Sequence, residues 1–371
     1  KTSLGDIAHG EFQVDEPELE DVFVALLLRE GARTEGFRLA TSRPIHPRLG
    51  EVAIEAKELI RDFGRFRAVD RVNLTVREGE IFGLLGANGA GKTTVIKMLC
   101  GILSPTGGEG WVSGVSMLRA AGSIKQRIGY MSQAFSLYLD LTVLENIRLF
   151  AGIYGLGRRE TDERLSWILS MGGLRGYESE YTARLPMGVR QRLALGCALV
   201  HRPRILFLDE PTSGVDPIGR RQFWDILVRL SREEGVAILI TTHYMSEAEH
   251  CDHLALMYGG RLVAEGSPDA MKRDVEREAG PRFDIVVDQP ARAVVELQRA
   301  GFVGAGLYGN RIHLFCRDPV RDKECACRVL ESSGLKLQSV LLKPLSLEDV
   351  FVYKVMALEQ QERMASAGVA V

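Results

Sequence analysis

The chain has 371 residues, 46% of them hydrophobic and 26% charged, with a formal net charge of −2. That length holds two domains or three, the composition is that of an ordinary globular protein, and the charge gives no electrostatic case for a nucleic-acid partner. No apolar run approaches the ~18 residues of a membrane-spanning helix. The six cysteines, Cys100, Cys197, Cys251, Cys316, Cys325 and Cys327, lack zinc or redox spacing. Most of them read as small core residues, which fits a reducing cytosol. The opening Lys1-Thr2-Ser3 has neither a hydrophobic signal core nor an initiator Met, so the chain reads as a piece of something longer.

Leu19 to Val24 reads LEDVFV, and so does Leu347 to Val352. Each places Leu, Val and Phe on one apolar helix face. One copy closes the chain and the other precedes its central domain, so residues 1–50 read as the tail of a missing unit followed by a Pro- and Arg-bearing linker. From Val52 the sequences VAIEAKELI and VNLTV read as strands. Between them, Phe63 or Phe66 could stack on a nucleobase; a lone aromatic before a strand also serves as core.

Ile81 to Leu85, IFGLL, is a buried strand by its continuous apolar run. Gly86, Ala87, Asn88, Gly89, Ala90, Gly91, Lys92, Thr93 and Thr94 follow, and then a helical run to Leu99. The spacing Gly86-x4-Gly91-Lys92-Thr93 is a phosphate-binding loop. Glycines let backbone N–H groups turn around an anion, and the following helix adds its positive end. Lys92 supplies a mobile charge to the outer phosphates, and Thr93 a hydroxyl for magnesium.

A strand pair is expected near Gly107-Gly108, and another strand over 128–131 that carries Gln133 into a loop, where its carbonyl oxygen can meet a cation. Residues 142–184 switch to helical periodicity, opened by a Thr142/Glu145 capping box. Leu185-Pro186-Met187-Gly188 begins another helix, with Pro in its first turn. Arg204 to Asp216 reads RILFLDEPTSGVD: a buried strand ending in Asp209 and Glu210. Two carboxylates there are costly unless they do something. Beside a phosphate loop, Asp209 can hold a magnesium shell and Glu210 can orient and polarise water. Asp216-Pro217 caps the next helix. A strand from Val236 ends at Thr241-Thr242-His243, and a histidine closing a parallel strand lies at the edge where α/β ligands bind.

These residues resemble the nucleotide-binding cassette of ABC transporters over roughly 52–280. The carriers are GANGAGKTT at 86–94, Gln133, the segment 185–192, LDEPTSGVDP at 208–217 and His243. The wording LPMGVRQRLALGCALVHRP is similar to ATPase subunits of type-2 exporters, most of all to the second cassette of YbhF-like tandem-cassette multidrug subunits. The resemblance implies an α/β P-loop NTPase fold: a parallel-sheet core with an antiparallel β part and a helical insert. The expected division is 1–50 as tail and linker, 51–280 as ATP-binding domain with a helical subdomain at about 134–200, 281–355 as a small α+β domain, and 356–371 as a tail.

By that resemblance the chain hydrolyses MgATP to power a separate polytopic permease, from the cytoplasmic face of the cell membrane, in an efflux system. Phe63 stacks on adenine; residues 86–94 and Gln133 bind ATP; Lys92 and His243 contact phosphates. Thr93, Gln133 and Asp209 hold Mg²⁺, and Glu210 is the general base. Leu185, Pro186, Met187, Gly188 and Asp216 serve a second cassette, expected in the same full-length chain. One departure stands out: the family's Leu-Ser-Gly-Gly-Gln is here Leu185-Pro186-Met187-Gly188-Val189, so a phosphate-facing hydroxyl and a backbone donor are lost. A non-transport cassette ATPase of translation or DNA repair is the alternative. Its basic surface or long charged coiled coil is not visible in the sequence.

Overall fold

The computed structural model describes residues 50–366, apart from 120, 134–136 and 303. The first LEDVFV copy and most of the expected linker lie outside the described residues. β1 (Val52–Phe63) and β2 (Phe66–Arg77) form a hairpin, followed by β3 (Ile81–Leu85) and α1 (Lys92–Leu99). Next come β4 (Gly107–Val112), β5 (Val115–Ser116), α2 (Ala121–Lys125) and β6 (Ile128–Met131). The helical insert holds α3 (Val143–Ile153), α4 (Arg158–Met171) and α5 (Met187–Ala198). Then β7 (Ile205–Asp209), α6 (Pro217–Glu234), β8 (Ala237–Thr242), a single turn α7 (Met245–Ala248), β9 (His253–Tyr258), β10 (Arg261–Gly266) and α8 (Pro268–Ala279) complete the larger domain.

The six-stranded sheet has the order β10-β9-β3-β8-β7-β6; all neighbours are parallel except β10 with β9. Its central strands β3, β7 and β8 are buried throughout because both faces are covered. Side-chain alternation sorts them: Phe82, Leu84, Phe207 and Leu239 pack toward α1 and the antiparallel sheet β2-β1-β4-β5. Ile81, Leu85, Leu206, Leu208, Ile238 and Ile240 pack toward the helices α3 to α6. The capping box forms as expected: Thr142 N–H donates to Glu145 Oε2 at 2.8 Å, and the Thr142 hydroxyl accepts from Glu145 N–H at 3.3 Å. Pro186 sits at the N-cap of α5, one position before the first helical turn where the sequence had placed it.

The small domain is a four-stranded antiparallel sheet in the order β12-β13-β11-β14. Its strands are β11 (Arg282–Val287), β12 (Gly306–Tyr308), β13 (Arg311–Phe315) and β14 (Leu337–Lys343), covered by α9 (Pro290–Arg299) and α10 (Pro319–Ser332). α10 begins at Pro319, because Asp318 caps it and Pro319 occupies its first turn. The last helix, α11, runs Leu347–Ser366, so a boundary at 355 falls inside it. Leu347 and Val350 of α11 are buried with the large domain's helical core, and Phe351 packs on the same cluster. The second LEDVFV copy thus presents its apolar face to the large domain.

Candidate functional site

The parallel register aligns the C-terminal ends of four strands: Leu85 lies opposite Thr242, Asp209 opposite Thr241, and Met131 opposite Leu208. Chain segments leaving these ends meet above the sheet, where open α/β folds bind ligands. The loop 86–91 leaves β3 here, Gln133 follows β6, Asp209-Glu210 ends β7, and His243 follows β8.

The loop is shaped by its glycines. Gly89 has φ +82° and Gly91 φ +109°, in the region that L side chains avoid. A β-carbon on Gly91 would lie 2.4 Å from the Ala68 carbonyl oxygen, and one on Gly86 would lie 2.2 Å from that of Met257. Gly260 N–H donates to Ala90 O at 3.1 Å and so ties the loop to the β9–β10 turn. Lys92 is buried and folds back over the loop, donating to Gly86 O at 2.7 Å and Ala87 O at 3.1 Å. Its ammonium also lies 3.4 Å from Glu210 Oε1.

Asp209 is 1% exposed, and accepts from the Thr93 hydroxyl at 3.0 Å and the Thr241 hydroxyl at 2.8 Å. Burial, followed by the Asp209 charge, pushes the Cys100 thiol and the Tyr130 phenol well up. Glu210 adopts a left-handed φ of +48°, held by its N–H donating to Thr241 O at 3.1 Å and Thr241 Oγ1 at 3.0 Å. Its Oε2 accepts from Gln133 Nε2 at 3.1 Å and lies 3.2 Å from His243 Nδ1, a charge-contact distance without hydrogen-bond alignment.

Lys92, Thr93, Gln133, Asp209, Glu210 and His243 therefore form one connected cluster. The oxygens it can offer a cation are hard ones: the Thr93 hydroxyl, the Asp209 carboxylate and the side-chain amide of Gln133, whose nitrogen here donates to Glu210. Among the described residues, no group of three His, Cys, Asp or Glu side chains could cage a metal. Such a donor set suits magnesium that arrives with phosphates and keeps most of its waters.

The remaining expected residues lie elsewhere. Phe63 sits at the hairpin end of β1, 47% exposed, with the Arg61 guanidinium 4.6 Å from its ring centroid. Leu185 is buried, while Pro186 and Met187 are exposed at the start of α5. Gly188 packs against the start of α6: a β-carbon there would lie 3.3 Å from Gly219 Cα and 3.7 Å from Asp216 Oδ2. Asp216 is exposed and caps α6, accepting from Gly219 N–H at 2.9 Å. Sequence reasoning missed Thr241, which touches both carboxylate residues, and Glu247, which lies behind His243. A signal for Thr241 was present: two threonines close an otherwise apolar strand beside the histidine.

The ABC transporter family pattern matches residues 69–213. "Probable multidrug ABC transporter ATP-binding protein YbhF" of Escherichia coli (strain K12) is 47% identical over 283 residues, which is 74% of this chain and 48% of that protein. Daunorubicin resistance ATP-binding protein DrrA3 of Streptomyces coeruleorubidus is 32% identical over 310 residues, 82% of this chain and 96% of that protein. The chain thus spans about half the length of the first relative and nearly all of the second. A solved dimeric ATP-binding cassette in a post-hydrolysis state, bound to ADP and Pi, superposes with a TM-score of 0.54. It is 26% identical, over 58% of this chain and 98% of that one.

Proposed function

This chain belongs to the ABC transporter family, and we propose that it binds MgATP and hydrolyses the β–γ bond to drive a separate membrane permease. The observation that carries the reading is the cluster at the strand ends, where a phosphate-sized loop, a buried carboxylate on a threonine hydroxyl, and a second carboxylate beside a histidine converge. Lys92 exchanges the Gly86 and Ala87 carbonyls for β- and γ-phosphate oxygens. Thr93 and Gln133, with Asp209 through water, would hold a Mg²⁺ that accompanies ATP, which would neutralise charge on the phosphates. Water attacks the γ-phosphorus as its proton passes to Glu210, and ADP departs with the bridging oxygen. His243, beside Glu210, contacts the γ-phosphate. Catalysis of this kind is mostly positioning and charge stabilisation. Phe63, exposed on the hairpin, offers a ring face to adenine.

The relatives named for multidrug and daunorubicin resistance support an efflux role, on the cytoplasmic face of the membrane. No described helix is long and apolar enough to cross a membrane. The dimeric cassette with ADP and Pi supports a second cassette as partner. We assign Leu185, Pro186, Met187, Gly188 and Asp216 to that contact, since Pro186, Met187 and Asp216 are exposed around the Gly188–Gly219 approach. The repeated LEDVFV supports a preceding cassette in the same full-length chain as that partner. Pro186, in place of serine, weakens whichever site it serves.

ATP turnover and nucleotide binding of the purified protein, its Lys92→Ala variant and its Glu210→Gln variant test the reading. Lys92→Ala loses turnover. Glu210→Gln keeps binding while turnover drops by about 10²–10⁴-fold, the usual range for a general base. Undiminished turnover in Lys92→Ala would refute the phosphate assignment, and in Glu210→Gln the assignment of the base.

A further inference from the structure

We propose that Glu247 is a positioning residue: it clamps the loop that follows Glu210 to the segment that carries His243, and so sets the hydrolytic step. The proposal rests on the nucleotide reading above and adds a residue to it.

Glu247 is in the single turn α7 and is 2% exposed. A carboxylate so placed is costly unless its oxygens are satisfied and its position is used. Oε1 accepts from the Thr212 hydroxyl, and Oε2 accepts from the Thr242 hydroxyl at 2.7 Å. Thr212 follows Glu210 by one turn of loop, and Ser213 N–H returns to Glu210 O at 3.2 Å. Thr242 immediately precedes His243, and its hydroxyl also accepts from Tyr244 N–H at 3.0 Å, so it fixes the backbone on both sides of the histidine. One side chain therefore joins the two segments whose acidic and imidazole groups meet 3.2 Å apart.

A second route leads to the same histidine. Arg220 Nε of α6 lies 3.4 Å from Glu247 Oε1. The Arg220 guanidinium covers the Tyr244 ring at 4.6 Å, and that ring tilts against the His243 ring with centroids 4.1 Å apart. Burial pushes the Glu247 carboxyl up, and the Thr212 and Thr242 hydroxyls with the Arg220 charge oppose that shift. None of these groups reaches the phosphate loop in the contacts above. Loss of Glu247 then lets His243 and the loop beyond Glu210 drift, while Lys92 and the loop backbone still hold nucleotide.

The test is steady-state ATP hydrolysis by Glu247→Ala and Glu247→Gln, each alone and combined with His243→Ala, with thermal unfolding alongside. The expected result for Glu247→Ala is a kcat lower by about tenfold or more, since small misplacements of reacting groups have such effects, and a KM within about twofold. Glu247→Gln recovers part of kcat, because the amide can accept from one threonine and donate to the other. In the His243→Ala background Glu247→Ala has a much smaller effect, because the group it positions is gone. A normal kcat in a folded Glu247→Ala protein overturns the proposal, as does the same fold-loss in both backgrounds. If Glu247→Ala does not fold, the Glu247→Gln cycle decides on the same criteria. Lys92→Ala separates the two levels: an inactive Lys92→Ala beside a normal Glu247 variant sinks only the clamp, whereas an active Lys92→Ala sinks the nucleotide reading beneath it.

Discussion

Two glycines of the phosphate loop look alike in the sequence but differ in what they face. Gly89 at φ +82° has open space where a β-carbon would go, whereas Gly91 at φ +109° would drive one to 2.4 Å from Ala68 O and 2.7 Å from Met257 Cε. Gly89→Ala should therefore cost only the left-handed backbone, about 1 kcal/mol. Gly91→Ala should cost about 2 kcal/mol or more, because strand β2 must also move. Urea unfolding and nucleotide titration check this, with the larger loss of both stability and ATP affinity expected in Gly91→Ala; equal effects would show that the Ala68 contact is unimportant. Four of the clustered side chains, Lys92, Thr93, Asp209 and Glu210, were legible in the sequence, because glycine spacing, Lys-Thr and a strand ending in two acids each imply their chemistry locally; Gln133 and His243 came from the family resemblance. Thr241 carried only the cue of a threonine pair closing an apolar strand, and Glu247 none, because their value lies in partners distant in sequence: Asp209 for one, Thr212 for the other. Nor does any local pattern announce the left-handed turn at Glu210, which the Thr241 backbone and hydroxyl impose from the neighbouring strand.

Elements were legible where one rule dominated. The runs IFGLL, ILFLD and AILITT could only be buried strands, and Asp216-Pro217 could only open a helix. The capped start Asp318-Pro319 of α10 carries the same signal. The Gly259-Gly260 turn between β9 and β10 is likewise a hairpin signal in the sequence. What no pattern conveys is how the helical insert is held to the sheet, and His201 is one such tie. It follows α5, its Nε2 lies 3.0 Å from Ile128 O at the start of β6, and its ring stacks at 3.6 Å on Tyr154 at the end of α3. Nε2 must donate to that carbonyl, so a second proton would go on Nδ1, which is buried without a partner. Burial accordingly lowers the His201 pKa from its ordinary value. The unfolded chain then binds the proton more readily, and the stability due to neutral His201 is present above about pH 6.5 and is lost as pH falls through and below that value. His201→Gln, whose amide can still donate to Ile128 O, should lower Tm at pH 7.5 through lost stacking. It should also show a smaller further drop than the parent protein between pH 7.5 and pH 5.5. Parallel Tm–pH curves for the two proteins would remove His201 from the acid response.

At the scale of the molecule, the first turn of α11 joins two cores. Leu347 and Val350 are buried in the large domain's helical core, while Asp349 between them is 5% exposed and turned onto the small domain's sheet. There it pairs with Arg282 of β11 and accepts from His313 Nδ1 of β13 at 2.8 Å. It also caps its own helix, accepting from Ser346 N–H at 2.8 Å and the Ser346 hydroxyl at 2.7 Å. Burial alone would raise the Asp349 pKa, but the bonds from His313 and Ser346 and the Arg282 charge outweigh it and hold the carboxyl below its ordinary value. Removing one partner of a buried pair strands the other charge. Asp284 is the only other carboxylate in ion-pair contact with Arg282 among the described residues, at 3.4 Å, and it is already shared with His313 and Arg311. Asp349→Ala should therefore cost about 3–5 kcal/mol, as broken buried pairs do. Asp349→Asn, which keeps an oxygen for the cap or for Arg282, should cost less. Because two cores are involved, a single unfolding free energy would mix them, and amide exchange read element by element is the sharper measurement. Protection should fall in β11, β13 and the first turns of α11, while β3, β7 and β8 around the nucleotide cluster keep theirs. If Asp349→Ala weakened all strands alike, the two cores would be one cooperative unit and α11 would be part of its interior. If it weakened none, the apolar contacts of Leu347 and Val350 would carry the joint unaided.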